Sequence, residues 1–242
     1  MRALNAQELL DAWEQGAPLA AGSRSLALLA AACPESAGEE LALLPVGRRD
    51  GLLLSLRELL FGPRLPCVLK CPGCGAPADL DLQVPDLRVQ AGDPAPHPLV
   101  VEARGYRLEL RLPNSLDLAG LPSSDAGFAR RWLLRQCLLR ALQDGVEIDA
   151  EVPDEVMDEV DAQMERADGQ ACLEVTTTCP ECGRACVSVV DMDELLWTEV
   201  TAWIHRTLRD VHALASAYHW TEADILAMSS WKRRLYLDMV PG

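Results

Sequence analysis

No run of apolar residues in this chain reaches the roughly 18 to 20 that a membrane-spanning helix needs; the longest, around residues 25–33, is broken by Pro34. A helical membrane span is therefore excluded. The first residues, MRALNAQELLDAWEQG, carry acids and helix signals where a signal peptide would carry a basic start and an apolar stretch, so the chain reads as cytoplasmic. Positive charge is scarce as well: 22 Lys and Arg face 37 Asp and Glu, the formal net charge is −15, and arginine greatly outnumbers lysine. Such a surface repels phosphate backbones, which argues against nucleic acid as a partner and suits a protein that meets other proteins. There is no phosphate-binding loop, HExxH pair or nucleophile elbow. No catalytic residue, organic cofactor or small-molecule substrate is expected, and the chain reads as a non-enzyme.

What the sequence does hold is 242 residues, 49% of them hydrophobic, which is enough for a buried core. It also holds nine cysteines. An odd number without an export signal points to reduced thiols and metal rather than a disulfide framework. Two segments repeat one pattern, VLKCPGCGAPADLDLQV at 68–84 and TTTCPECGRACVSVVD at 176–191. In each, a strand enters Cys-Pro-x-Cys-Gly and a strand leaves it, which is half of a zinc ribbon stated twice.

That pattern has a chemical reason. Two residues between thiolates let both sulfurs converge on a tetrahedral ion at about 2.3 Å. Proline after the first cysteine fixes φ and starts the turn. Glycine after the second permits φ > 0, so that backbone N–H groups turn back toward the sulfurs. Cys71, Cys74, Cys179 and Cys182 are therefore the expected ligands of one structural zinc ion, Zn2+. Redox pairs place two cysteines at the start of a helix, and neither pair has a helix following it. A thiol oxidoreductase and two separate sites are the competing readings. Residues 75–178 must return the chain to the first knuckle. Cys67 is a conceivable replacement ligand, and otherwise Cys67, Cys172 and Cys186 read as strand residues. Cys33 and Cys137 read as helical, all five being small buried hydrophobes.

Periodicity divides the chain into five regions. Residues 1–63 form an N-terminal helical region, with Asn5 capping a helix over 6–15, a second helix over 23–33 and a third over Val46–Phe61. In the third, Leu52, Leu56, Leu59 and Leu60 share a face. Residues 64–123 hold the first knuckle and a β-hairpin over 99–112, with a Pro-rich loop at 90–98. Residues 124–170 are inserted helices, one over 124–142 and an acidic one over 153–167. Residues 171–192 hold the second knuckle. Residues 193–242 form a C-terminal helical region, capped by Asp191 or Asp193, with a Thr221 cap and a last helix over 229–240. The fold class is α+β: helical N- and C-terminal parts around a discontinuous zinc ribbon with an extra β-hairpin.

His205, His212 and His219 recur every seven residues, but seven helical residues rise about 10.5 Å, so they cannot share an ion. They read as core or interface residues. Trp197, Trp203, Trp220 and Trp231 read mostly as core, with one or two as partner anchors.

Three stretches carry a family likeness: LALLPVGRRDGLLLSLRELLFGPRL at 41–65, ELLWTEVTAWIHRTLRDVHALASAYHWTEADILAMSSWKRRLYLDMV at 194–240, and the upstream ELLDAWEQG and SLALLAAACP. Together they resemble the T4-type phage baseplate hub assembly chaperone family, found with phage-tail-like contractile injection systems. One departure is His219, where the resemblance leads one to expect glycine at a tight turn. The resemblance implies a bacterial protein that helps to build or complete the baseplate. Its partners would be baseplate, hub or spike proteins, and it would act as a transient factor or a component of the particle. Contacts are expected from Val46–Phe61, including Arg48, Arg49 and Asp50, and from the helices around 218–236. A zinc-ribbon nucleic-acid-binding or regulatory protein is the alternative.

Overall fold

The computed structural model describes residues 1–89, 98–122, 125–149 and 152–240. In chain order come α1 (Ala6–Gly16), α2 (Ala21–Ala32), α3 (Gly38–Ala42) and α4 (Val46–Phe61), then β1 (Arg64–Lys70), β2 (Pro77–Gln83) and α5 (Val84–Leu87). Next are β3 (Leu99–Ala103), β4 (Tyr106–Leu110), α6 (Ser115–Ala119), α7 (Ala126–Cys137), β5 (Leu138–Gln143) and β6 (Val146–Glu147). Then follow α8 (Asp154–Ala167), a 3-10 turn (Gly169–Ala171), β7 (Glu174–Thr178) and β8 (Ala185–Val189). The last helices are α9 (Met192–Tyr218), α10 (Glu222–Leu226) and α11 (Ser230–Leu237). This is the expected α+β class. Most of the Pro-rich stretch at 90–98 lies outside the described residues.

The chain forms two compact units, Met1–Gly38 with Met192–Gly242, and Glu39–Asp191. The first is helical. Asn5 closes a full capping box on α1, its side chain taking the N–H of Glu8 while the Glu8 carboxylate takes the N–H of Asn5. Along α9 the buried residues Met192, Leu196, Val200, Ile204, Thr207, Val211 and Leu214 step by four and three, so they make one continuous seam. Against α9 pack α1, α2, α10 and α11. Trp13 stacks on Trp197 and donates its indole N–H to Thr201 at 3.0 Å. Trp197, Trp203 and Trp220 are half-buried and Trp231 is exposed, so none is a true core residue.

Of the two readings of the histidines, the core one is overturned. His205, His212 and His219 are all exposed, and His205 meets Trp13 edge-on instead of entering the core. His219 has φ 57, and its N–H closes the end of α9 on the Ala215 carbonyl at 2.9 Å. The tight turn is therefore present without glycine, because a histidine tolerates the left-handed region better than most side chains.

In the second unit, β3, β4, β5 and β6 form an antiparallel meander. Its inner face and helices α7 and α8 bury Leu108, Leu110, Cys137, Val156 and Val160. The expected hairpin is the first half of this sheet. The helix expected over 124–142 ends at Cys137, and residues 138–143 pair with β4 instead. The local reason is Asp144-Gly145, both at positive φ (50 and 82), which is the Asp-Gly turn that joins β5 to β6.

Helix α4 keeps its expected bounds but turns a different face inward. Leu59 is 50% exposed, whereas Arg49 and Asp50 are buried with Leu53, Leu54, Leu56 and Arg57. Arg49 pairs with Asp50 at 2.8 Å and donates to Ser115 at 3.2 Å. The Arg49-Asp50 pair is thus structural and unavailable to a partner, while Arg48 is exposed.

Candidate metal centre

Each CPxCG segment is the loop of its own hairpin. The last paired residues are Lys70 with Pro77 in one and Thr178 with Ala185 in the other, so each loop holds six residues. The internal hydrogen bonds match. Cys71 N–H donates to Ala76 and Gly75 N–H to Cys71, both at 2.9 Å; Cys179 N–H donates to Arg184 at 2.8 Å and Gly183 N–H to Cys179 at 3.0 Å. Gly75 and Gly183 stand at φ 75 and 70, the left-handed conformation that a side chain would resist, so the glycine after each second cysteine is needed for the turn.

The structure brings the four expected cysteines together. Their sulfurs all lie within 4.8 Å of one another, and among the described residues they are the one group of Cys, His, Asp and Glu placed to hold a metal ion. Cys71 Sγ approaches Cys182 Sγ at 3.6 Å, and Cys74 Sγ approaches Cys179 Sγ at 3.6 Å. The first cysteine of each knuckle therefore meets the second of the other, a two-fold arrangement. Cys71 and Cys179 are buried, and Cys74 and Cys182 face solvent. A tetrahedron with bonds of about 2.3 Å has edges of about 3.8 Å, so the set has the right size for a thiolate-bound ion.

Electrostatics gives the same answer. Backbone N–H groups of Cys74 and Gly73 pull the Cys71 thiol down to about 6, the Gly73 N–H lying 3.3 Å from the sulfur. On Cys74 the Ala76 N–H acts downward, but the neighbouring thiols Cys179, Cys182 and Cys71 outweigh it and push the group up to about 12. One sulfur ionises readily, and the next then resists because a second anion would sit beside the first. A divalent cation is what lets all four ionise together. Both loops lead into strands, not helices, which removes the geometry of a redox Cys-x-x-Cys pair.

Three positioning features carry no local sequence signature. The Asp168 carboxylate accepts the Gly47 N–H at 2.9 Å, pinning the approach to the second knuckle on the start of α4. A Cβ at position 47 would come within 2.2 Å of Asp168 Oδ1, so glycine is what admits the carboxylate. Desolvation raises the Asp168 pKa, with the Gly47 N–H acting against it. Next, Gln170 donates to Leu87 at 3.1 Å and accepts from Val89 N–H at 2.9 Å, tying that approach to the segment after the first knuckle. Third, Arg184 of the second knuckle lies over Gly73 of the first, where a Cβ would meet its Nε at 2.9 Å. The two loops differ at this position, glycine in one and Glu181 in the other, because only one can lie under the arginine.

The remaining thiols divide. Cys186 is buried beside Cys71 and Cys179, with burial raising its pKa, and its thiol donates to the Arg184 carbonyl at 3.6 Å. Cys33 and Cys137 are buried, and Cys67 is half-buried on β1. Cys172, expected to be a buried strand residue, is exposed between the 3-10 turn and β7.

Two hairpin loops sharing one four-thiol cluster define a zinc-ribbon-like protein whose halves are far apart in sequence. The family model described as T4 bacteriophage base plate protein matches residues 23–197, and the chain belongs to that family. No curated protein and no solved structure matches it.

Proposed function

We propose that the protein is a non-enzymatic member of the baseplate family whose four cysteines hold one structural zinc ion. It acts, like a hub assembly chaperone, in building or completing the baseplate of a phage-tail-like contractile injection system. One observation carries this reading: in a baseplate-family chain, Cys71 and Cys74 meet Cys179 and Cys182 within 4.8 Å although they lie on hairpins far apart in the sequence. A cross-link of that kind stabilises a scaffold, and an all-thiolate tetrahedral set with no open position suits structural zinc. Iron is the chemical competitor for four thiolates. The role implies work in the bacterial cytoplasm, with baseplate, hub or spike proteins as partners.

Metal analysis and native mass spectrometry of the purified chain test the first half, with one zinc per chain expected. Iron, or a folded metal-free chain, would refute it. Deleting the gene in cells carrying its cluster tests the second half: particles should be absent or lack complete baseplates, and normal particles would end the assembly reading. A gel shift at low salt should show no retention of DNA or RNA; retention would favour a regulatory ribbon.

A further inference from the structure

Helix α11 lies outside the residues that the family model matches. Its outer face carries Trp231 and Leu235, four residues apart and so aligned on one side, and Met239 follows in the turn that ends the helix. They are 72%, 39% and 65% exposed, and Trp231 is the most exposed large hydrophobic residue among those described. Lys232 and Arg234 are exposed on either side of this stripe. Over Ser230–Leu237 the helix has three cations, of which Arg233 is buried, and no acid, with an exposed Asp238 at its C-terminal end, within a chain of net charge −15.

The helix is also firmly held. Ser229 caps its start, accepting the Lys232 N–H at 3.3 Å. On its inner side Arg233 is buried, and Tyr236 packs edge-on against Trp220 and Tyr218 with ring centroids 4.8 and 5.8 Å away. The Tyr218 hydroxyl donates to the Tyr236 carbonyl at 3.4 Å. The aromatic ring trio ties α11 to the end of α9, so the exposed stripe belongs to an ordered platform.

We propose that this face of α11 docks an acidic amphipathic helix of another protein, with Trp231 as the apolar anchor and Lys232 and Arg234 meeting its carboxylates. Trp and Arg are enriched among the residues that dominate binding at protein interfaces. Charge complementarity selects the occupant: the helix is basic where the rest of the chain is acidic, which disfavours anionic lipid and nucleic acid. A second copy is a poor fit as well. Its acidic helix, α8, already buries Val156, Met157 and Val160, and its Asp154, Asp158 and Asp161 already pair with Arg131 and Arg130. The inference rests on the assembly reading for the existence of a protein partner.

A photo-crosslinking amino acid at position 231, expressed in cells carrying the neighbouring baseplate genes, tests it. The expected adduct is to an acidic, helix-patterned segment of another baseplate protein, and it should fall at least tenfold in the Lys232→Glu/Arg234→Glu background. An adduct to a second copy, to nucleic acid or to lipid overturns the proposal, as does labelling no greater than from a control probe at Val68, which is 64% exposed. The Trp231→Ala/Leu235→Ala chain, which should keep its helicity and metal content, should reduce complete particles at least tenfold. If gene deletion abolishes particles and this variant does not, the docking inference fails while the assembly reading stands.

Discussion

Residues 1–38 and 192–240 bury an apolar seam along α9, whereas residues 39–191 bury, besides an apolar core under their meander, most of the charges and the clustered thiols. Among the described residues, the buried polar ones of the helical unit are Ser25, Thr207 and Arg233; those of the middle unit are Arg49, Asp50, Arg57, Asn114, Ser115 and Asp117. In the helical unit, order comes from shape and area removed from water. In the middle unit the two hairpins are small, and isolated two-stranded hairpins are marginal in water. Their order depends on specific pairings: a carboxylate on Gly47, a carboxamide on Leu87 and Val89, and sulfurs on one another. The contrast also bears on how the chain is closed. Its two ends meet by helix packing in their own unit, and the cysteine cluster closes the middle unit alone.

The sharpest way to break this comparison is to remove the proposed metal. Structural zinc supplies roughly 10–16 kcal/mol of apparent binding energy in small sites. Chelation, or the Cys71→Ser/Cys179→Ser variant, should therefore unfold the β1–β2 and β7–β8 hairpins, with amide protection lost there. Protection along α1, α2 and α9 should persist. Equal loss of protection in both units would show that they do not differ in this way. In the opposite direction, Ile204→Ala opens a cavity at a fully buried position in the α9 seam. It should cost about 2–5 kcal/mol in denaturant unfolding of the helical unit, with one zinc still bound.

How far the two regions were legible in the sequence follows the same division. The knuckles could be read because metal ligation imposes a local pattern: every feature of Cys-Pro-x-Cys-Gly serves a turn of six residues. Asn5 was legible as a cap for the same reason, the Glu8 that completes its box being three residues on. The inward turn of Arg49 was hidden because its partner Ser115 is 66 positions away. The Asp168 carboxylate that α4 receives at Gly47 is 121 positions away. Residues 138–142 read as helix because their apolar spacing continues that of α7, and only pairing with β4 settles them as strand. His219 misled in the other direction, since a backbone conformation expected of glycine is adopted by another residue.

A smaller perturbation tests whether close fit at Gly47 matters to the metal centre. Gly47→Ala places a Cβ against Asp168 and the Ala171 backbone. Overpacking of this kind costs about 1–3 kcal/mol, and it should act on the middle unit only. Zinc affinity should fall modestly, because the second knuckle is delivered less accurately, while α9 protection stays unchanged. An unaltered affinity would mean that the clasp and the centre are independent.

The smallest expected effect separates the units by pH. Glu8 is held near 2, below its ordinary 4.5, first by the Arg2 guanidinium and next by the Asn5 N–H. A carboxylate with a lowered folded pKa contributes stability that is present above the unfolded value and lost as pH falls through the folded one. The Arg2–Glu8 pair should thus support the start of α1 above 4.5 and release it progressively toward 2. Both charge-assisted bonds are 2.7 Å, but the groups are exposed, so the contribution is small. Glu8→Gln keeps a capping-box acceptor and removes the charge; it should flatten the pH dependence of α1 amide protection in that window by slightly lowering protection at neutral pH, where the ion pair is intact, and should match the parent near pH 2. In the middle unit acid would act differently, by protonating the thiolates that the proposed ion needs. The Glu8→Gln chain should therefore release zinc at the same pH as the parent. A shift in that release would show that α1 and the cysteine cluster are linked, and the division between a packed unit and a metal-held one would have to be redrawn.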